Sequence, residues 1–189
     1  AGRDVRVDQL TSAELRRVQL GAGQGFCSLA EALDAFPDTC FNVDVKSANA
    51  VEGTIKAIRD LRATDRVLIG SFSTSRRMAV VRELPGVATS VSAGGALPAA
   101  HAARVGATRM LRRILRGVQA VQLPEKVAGA SIVTDRAIRS FHEVGVEVHI
   151  WTVNEPADMI RMLDVGVDGI VTDRADLALP IVAERHRTR

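Results

Sequence analysis

The sequence has no tyrosine, one tryptophan and five phenylalanines. So few rings leave little to stack on bases. None interleaves with the arginines of "RVGATRMLRRILRGV" (residues 104–118), which argues against nucleic acid as a partner. Cysteine is nearly as scarce. Cys27 and Cys40 lack zinc or redox spacing and read as buried free thiols rather than a bridge. No apolar run reaches the roughly 18 residues of a membrane span. The opening residues are interrupted by Arg3, Asp4, Arg6 and Asp8, unlike the apolar core of a signal peptide. The compartment expected from these absences is the cytoplasm. Net charge is only +3, from 25 Lys+Arg against 22 Asp+Glu. That balance suits a small anionic substrate as well as no charged partner.

What is present fits one soluble domain over residues 1–189, with 47% hydrophobic and 25% charged residues. Short runs rich in valine and isoleucine recur at 41–45, 67–72, 87–92, 120–123, 147–153 and 169–172. Helical patterns separate several of them. Residues 50–61 place Val51, Ile55, Ile58 and Leu61 on one stripe, and 75–84 place Met78, Val81 and Leu84 together. Residues 135–144 do the same with Ile138, Phe141 and Val144, and 157–165 with Ile160, Leu163 and Val165. Thr134, Asn154 and Asp173 are of good N-cap types, and Gly145 and Gly166 are stops. Strands alternating with helices predict βαβ units and a parallel sheet, either open and doubly wound or closed as a (β/α)₈ barrel. Two glycine-rich stretches bear on the choice. "GAGQG" (21–25) follows no apolar strand and reads as a plain loop. "SAGGAL" (92–97) lacks the Lys-Ser/Thr of a phosphate loop.

The stretch "FNVDVKS" (41–47) is the most informative. Phe41, Val43 and Val45 alternate with Asn42, Asp44 and Lys46, so a strand here has one apolar face and one carrying an amide, an acid and a base. A strand covered on both faces of an open parallel sheet reads as nearly continuous apolar residues instead.

"VHIWTVNEPADMIRMLDVGVDGIVTDRADL" (148–177) resembles the last two βα units of the glycerophosphodiester phosphodiesterase family, on its Trp-Thr-Val-Asn and Gly-Val-Asp-Gly-Ile motifs. "FNVDVKS" is similar to that family's third strand, "IGSFS" (69–73) to its fourth and "VQLPE" (121–125) to its sixth. Ser28-Leu29-Ala30-Glu31, within the segment 10–38, stands where Thr-Leu-Glu-Glu is usual. The resemblance implies a TIM-type (β/α)₈ barrel, here an α/β chain of about six βα units. In a barrel, Phe41, Val43 and Val45 face helices, while Asn42, Asp44 and Lys46 face the interior near the C-terminal mouth.

The same resemblance implies an activity: hydrolysis of a glycerophosphodiester to glycerol 3-phosphate and an alcohol. Asp44 stands at a divalent-metal ligand position, usually glutamate, and hard oxygen ligands suit Ca²⁺ or Mg²⁺; the alternative reading of Asp44 is a structural ion-pair partner of Lys46. Lys46 matches the lysine that faces the phosphate, and Trp151 the aromatic that walls the glycerol pocket. Ser71, Phe72 and Asn154 are expected in the lining. The family's His-Arg-Gly strand, Glu-x-Asp strand and His-Asp turn, which carry its catalytic histidines and two further carboxylates, have no counterpart in these residues. The chain resembles units three to eight, and the alternative reading is an inactive, truncated homologue that binds phosphate without turning it over. An incomplete barrel would leave "FNVDV" and "GIVTD" as sheet edges prone to self-association. His101, His142 and His186 read as structural or surface residues. His149 shares a strand face with Trp151 and reads as a satisfied core histidine. Asp168 and Asp173 read as loop and cap residues. The arginines of 104–118 read as a solvated helix face, with contact to anionic lipid headgroups as the second reading.

Overall fold

A computed structural model describes residues 5–127 and 130–187. Before the main sheet come α1 (Ser12–Leu15), a hairpin of β1 (Gln19–Gly21) and β2 (Gln24–Gly25), and α2 (Leu29–Ala35). "GAGQG" is therefore a hairpin tip, and the turn is made by Gly21, Ala22 and Gly23, all at positive φ. Ser28 and Glu31 form a capping box on α2. The Ser28 hydroxyl accepts from the Glu31 N–H, and the Glu31 carboxylate accepts from the Ser28 N–H at 2.7 Å. Donation from the Ser28 N–H, and from the Ser28 hydroxyl at 2.9 Å, holds the Glu31 carboxyl below its ordinary pKa.

The first half of the sheet is β3 (Phe41–Asp44), α3 (Ala50–Asp60), β4 (Val67–Gly70), α4 (Thr74–Glu83) and β5 (Ala88–Thr89). Next come α5 (Ala93–Val105) and α6 (Thr108–Ile114). The second half is β6 (Ala120–Pro124), a small hairpin of β7 (Lys126–Val127) and β8 (Ala130–Ser131), α7 (Asp135–Glu143), β9 (Glu147–Trp151), α8 (Pro156–Val165), β10 (Gly169–Ile170) and α9 (Ala175–Arg187). β3, β4 and β5 pair in parallel, as do β6, β9 and β10. One parallel bridge, Ser90 to Ala120, joins the two halves. Hydrogen bonds from the Val91 N–H to the Ala120 carbonyl (3.0 Å) and from the Gln119 N–H to the Thr89 carbonyl (2.9 Å) flank it. The strand order is thus β3-β4-β5-β6-β9-β10, as in six consecutive units of a βα barrel. Among the described residues β3 and β10 have one strand neighbour each.

Alternation puts the apolar faces under the helices. In β9, Val148 and Ile150 are buried while Glu147 and Trp151 on the opposite face are exposed. Two cores result. One gathers Leu33, Val45, Ile58, Ile69 and Val80 under α2, α3 and α4. The other, larger, gathers Leu111, Val121, Phe141, Val148, Ile150, Met159 and Met162 under α5 to α8.

Several expectations change. Cys27 and Cys40 are free, as expected, but exposed rather than buried. The stretch 104–118 is not one helix: α5 ends at Gly106, which adopts the left-handed conformation glycine tolerates, and α6 starts afresh at Thr108. Its arginines are exposed and Leu111 and Leu115 buried, a solvated helix face. Thr134 caps α7 by accepting from the Ala137 N–H, and Gly166 stops α8. Asn154 caps no helix, because Pro156 sets the start of α8 one residue later, after Glu155. Asp173 is not a cap either, since α9 begins at Ala175.

Candidate active site

All six parallel strands end on one cleft of about 430 Å³. Asp44 ends β3, Gly70 ends β4, Pro124 ends β6 and Trp151 ends β9. Ser71 and Phe72 follow β4, Ser90 and Val91 follow β5, and Val171 follows β10. Ala93, Ala96 and Leu97 of α5 close one side. The cleft therefore lies at the C-terminal ends of the strands, where βα barrels carry their chemistry, because the loops there vary without disturbing the core.

Asp44, Ser71, Phe72 and Trp151 are brought together on this cleft. Phe72 and Trp151 are exposed and form apolar parts of its rim. Ser71 is buried and its hydroxyl is committed: it donates to the Val45 carbonyl at 2.7 Å and accepts from the Ser73 N–H at 3.3 Å. It ties β4's end to β3 more than it faces a ligand. Lys46 is not in the lining. It lies beyond β3's last residue with its side chain 79% exposed, and its ammonium donates to Asp44 Oδ2 at 2.5 Å. The acid and base form a pair at the rim, both within reach of water. Asn154 stays outside the cleft. Its amide oxygen accepts from the Asp173 N–H (2.9 Å) and the Thr172 hydroxyl (3.0 Å), and its amide nitrogen donates to Asp173 (3.1 Å). It clamps the loop after β9 to the loop after β10.

None of the histidines with described side chains reaches the cleft. His101 is exposed on α5. His142 pairs with Asp168 at 2.8 Å, and Asp168 also accepts from the Val148 N–H at 2.8 Å, a role that braces β9. His149 shares Trp151's strand face, but its Nε2 lies 3.2 Å from Glu147 Oε2, toward the opposite end of β9 from the cleft. The side chain of His186 falls outside the described residues. A divalent cation fits poorly here: among the described residues no group of three or more His, Cys, Asp or Glu could hold one. Asp44 alone is one carboxylate, where Ca²⁺ takes six to eight oxygens.

Sequence reasoning passed over three groups. Ser90 and Gln122 line the floor, with the Ser90 hydroxyl donating to Gln122 Oε1 at 3.3 Å. The signal was available, because Gln122 interrupts "AVQLP" as Asp44 interrupts "FNVDV". Arg77 lies buried behind the cleft and donates to the hydroxyls of Thr89 and Ser92 at 3.0 Å each. Burial lowers its pKa from the ordinary guanidinium value.

A sequence model of the Glycerophosphoryl diester phosphodiesterase family matches residues 1–177. The chain is 43% identical, over 180 residues, to a protein of Mycobacterium tuberculosis described as "Probable glycerophosphodiester phosphodiesterase 2"; the match covers 95% of this chain and 68% of the relative. A structure of a putative glycerophosphoryl diester phosphodiesterase from Agrobacterium tumefaciens superposes with a TM-score of 0.70 at 18% identity, over 95% of this chain and 73% of the other. A structure of a putative glycerophosphoryl diester phosphodiesterase from Silicibacter pomeroyi gives 0.62 at 24% identity, over 84% of this chain but only 56% of the other. These likenesses carry the barrel fold. The chain belongs to the glycerophosphoryl diester phosphodiesterase family.

Proposed function

We propose that the chain provides the substrate-binding side of a phosphoric diester hydrolase that splits glycerophosphodiesters into glycerol 3-phosphate and an alcohol. The observation that supports this best is the pairing of Asp44 and Lys46 at the C-terminal rim of the barrel. In this reading the Lys46 ammonium leaves Asp44 for the diester's anionic oxygens, a charge-assisted contact that strengthens as charge develops in the transition state. Trp151 and Phe72 wall the organic part of the substrate, and Ser71 and Asn154 hold the loops that position it. Asp44 is the one described carboxylate at the cleft, and it does not by itself make a Ca²⁺ or Mg²⁺ site, so no step is assigned to a metal. A single small domain with a small anionic partner fits the modest net charge. Two further contacts belong to the same reading: self-association through the edges of β3 and β10, and peripheral contact of the α6 arginines with anionic lipid. No acidic residue lies between Glu83 and Glu125 in the sequence, so the stretch that carries those arginines holds no negative side chain of its own.

A second reading has its own support. With no described histidine side chain at the cleft, the proton transfers of hydrolysis lack a group within these residues, and a phosphate-binding, non-enzymatic role remains. One comparison separates the two. The 189-residue chain and the longest polypeptide its coding region encodes are assayed for release of glycerol 3-phosphate, with Mg²⁺ and with Ca²⁺. Metal-dependent turnover by the longer polypeptide supports the hydrolase. Binding of glycerol 3-phosphate with no turnover by either supports the non-enzymatic role.

A further inference from the structure

The outer faces of α5 and α6 meet at Gly106, whose left-handed backbone turns the chain from one helix to the other. At about 3.6 residues per turn, Arg109, Arg112, Arg113 and Arg116 fall on one side of α6 and the turn that follows it. That side is opposite the buried Leu111 and Leu115. Arg104 stands on the outer side of α5, two residues before Gly106. All five arginines are exposed. No ion pair or side-chain hydrogen bond among the described residues engages any of them. Arginines elsewhere have carboxylates close by: Arg16 pairs with Glu31, Arg59 with Glu83, Arg161 with Asp158 and Glu125, and Arg174 with Asp176. α7 packs on both helices and adds Arg136 and Arg139 against Asp135 and Glu143, so it leaves the positive excess of this face unchanged.

Large apolar side chains stand among these charges. Val105, the last residue of α5, is 52% exposed, and Met110, beside Arg109 and Arg113 on α6, is 51% exposed. A helical face of unpaired cations around apolar tips matches the boundary of an anionic bilayer. The tips enter the edge of the acyl region, and the guanidinium groups stay among the phosphates. It matches nucleic acid less well, since no aromatic ring stands among the arginines to stack on a base. We propose that the α5–α6 corner docks on an anionic lipid bilayer, with Arg104, Arg109, Arg112, Arg113 and Arg116 on headgroup phosphates and Val105 and Met110 in the interface. α5 ties this corner to the cleft. Its first residues, Ala93, Ala96 and Leu97, line the cleft, and its 13 residues span about 20 Å. Docking therefore holds the cleft within about that distance of the headgroups. This extends the lipid contact of the α6 arginines to a defined surface, and it needs no turnover by the chain.

The test is co-sedimentation of the longest encoded polypeptide with two kinds of vesicle: phosphatidylcholine alone, and an equal mixture of phosphatidylcholine and phosphatidylglycerol. Binding to the mixed vesicles is expected to exceed binding to the neutral ones by about 100-fold or more at low salt, and to fall steeply as ionic strength nears about 0.5 M. The combined Arg109→Gln, Arg112→Gln and Arg113→Gln variant is expected to bind mixed vesicles about 100-fold more weakly, at about fivefold per charge. Arg109→Lys, Arg112→Lys and Arg113→Lys together should stay within about threefold of the wild type, because a headgroup surface answers to charge more than to the planar guanidinium fork. Both triple variants are expected to melt with the wild type, since these side chains have no partner to lose. Should the glutamine triple melt early, Arg112→Gln alone, with its expected loss of about fivefold, decides. Met110→Gln is expected to weaken binding about fivefold at every salt concentration. Equal binding to both vesicles, binding to neither, or a glutamine triple that binds like the wild type overturns the docking surface. So does a lysine triple as weak as the glutamine triple, which would mean a shaped anion site. A duplex oligonucleotide that displaces the chain from mixed vesicles at lower phosphate concentration than free lipid does would replace lipid by nucleic acid as the partner. Hydrolysis of a soluble glycerophosphodiester is expected to be the same in all these variants. Its absence from the wild type counts against the hydrolase reading alone, and the vesicle result stands without it.

Discussion

The two halves of the sheet do different work. The second half, β6-β9-β10, rests on the larger core, with Phe141, Ile150, Met159 and Met162 almost wholly out of water. To the cleft it brings mainly apolar wall, from Leu123, Trp151 and Val171. The first half, β3-β4-β5, rests on a smaller core, yet it carries the acid, the base and two of the neutral polar groups at the floor. The parallel bridge between Ser90 and Ala120 and the hydrogen bonds around it join them. The charged candidates thus stand on the half with the smaller core. That division follows from the sequence of inward residues. Polar side chains facing the interior lose less when the sheet around them is thin, whereas apolar outward faces gain from every helix laid on them.

The sharpest way to break this contrast is to cut the larger core. Phe141 is 1% exposed and sits at the centre of the second half. Phe141→Ala removes most of an aromatic ring from a close-packed site, and a loss of about 3–5 kcal/mol is expected. The matched cut in the first half, Leu33→Ala, is expected to cost about 2–5 kcal/mol. It releases α2 alone rather than the junction of several helices, and so should fall toward the lower part of that range. Denaturant unfolding of both variants checks the order. A Leu33→Ala loss larger than that of Phe141→Ala would reverse the assignment of the two halves.

A smaller effect tests how β9 is held. The Asp168 carboxylate accepts from the Val148 N–H and from His142 Nε2, both at 2.8 Å. Asp168→Ala leaves the Val148 amide without its acceptor, and about 1–3 kcal/mol should go. Hydrogen exchange at Val148 is expected to quicken with it. Unchanged protection there would mean that the strand is held by the ladder alone.

Much of this architecture was legible before any coordinates. The alternation in "FNVDV" marked a strand with a polar inner face, and the cap at Thr134 was plain in sequence. The 3.6-residue stripes marked α3, α4, α7 and α8. What escaped did so for identifiable reasons. Asn154 has the right type for a cap, but Pro156 moved the helix start, and the amide found partners 18 and 19 residues away that no local pattern reports. The stretch 104–118 read as one helix face, but Gly106 ends α5 in left-handed backbone, which spacing does not reveal. Gln122 and Ser90 were single polar residues in or beside apolar runs. Only the curvature of the sheet, which brings β4, β5 and β6 to face one point, reveals them as a group.

The smallest expected effect on stability is the most telling about function. Lys46 and Asp44 are paired at 2.5 Å, but the lysine side chain is 79% exposed. Exposed pairs contribute between nothing and about 1 kcal/mol, since water screens the attraction and two side chains must be held in place. Lys46→Met keeps the length and the apolar stem and removes only the charge. It is expected to change the unfolding free energy by less than about 0.5 kcal/mol. Binding of glycerol 3-phosphate should weaken by about tenfold or more, the scale of one charge-assisted contact to an anion. Melting curves and calorimetric titration on the same preparation give both numbers. If the melting point falls by many degrees while affinity holds, the lysine serves the fold of the rim. If the melting point holds while affinity falls, the first half of the sheet carries a charge that its own stability does not need, and the contrast with the second half is one of function as well as packing.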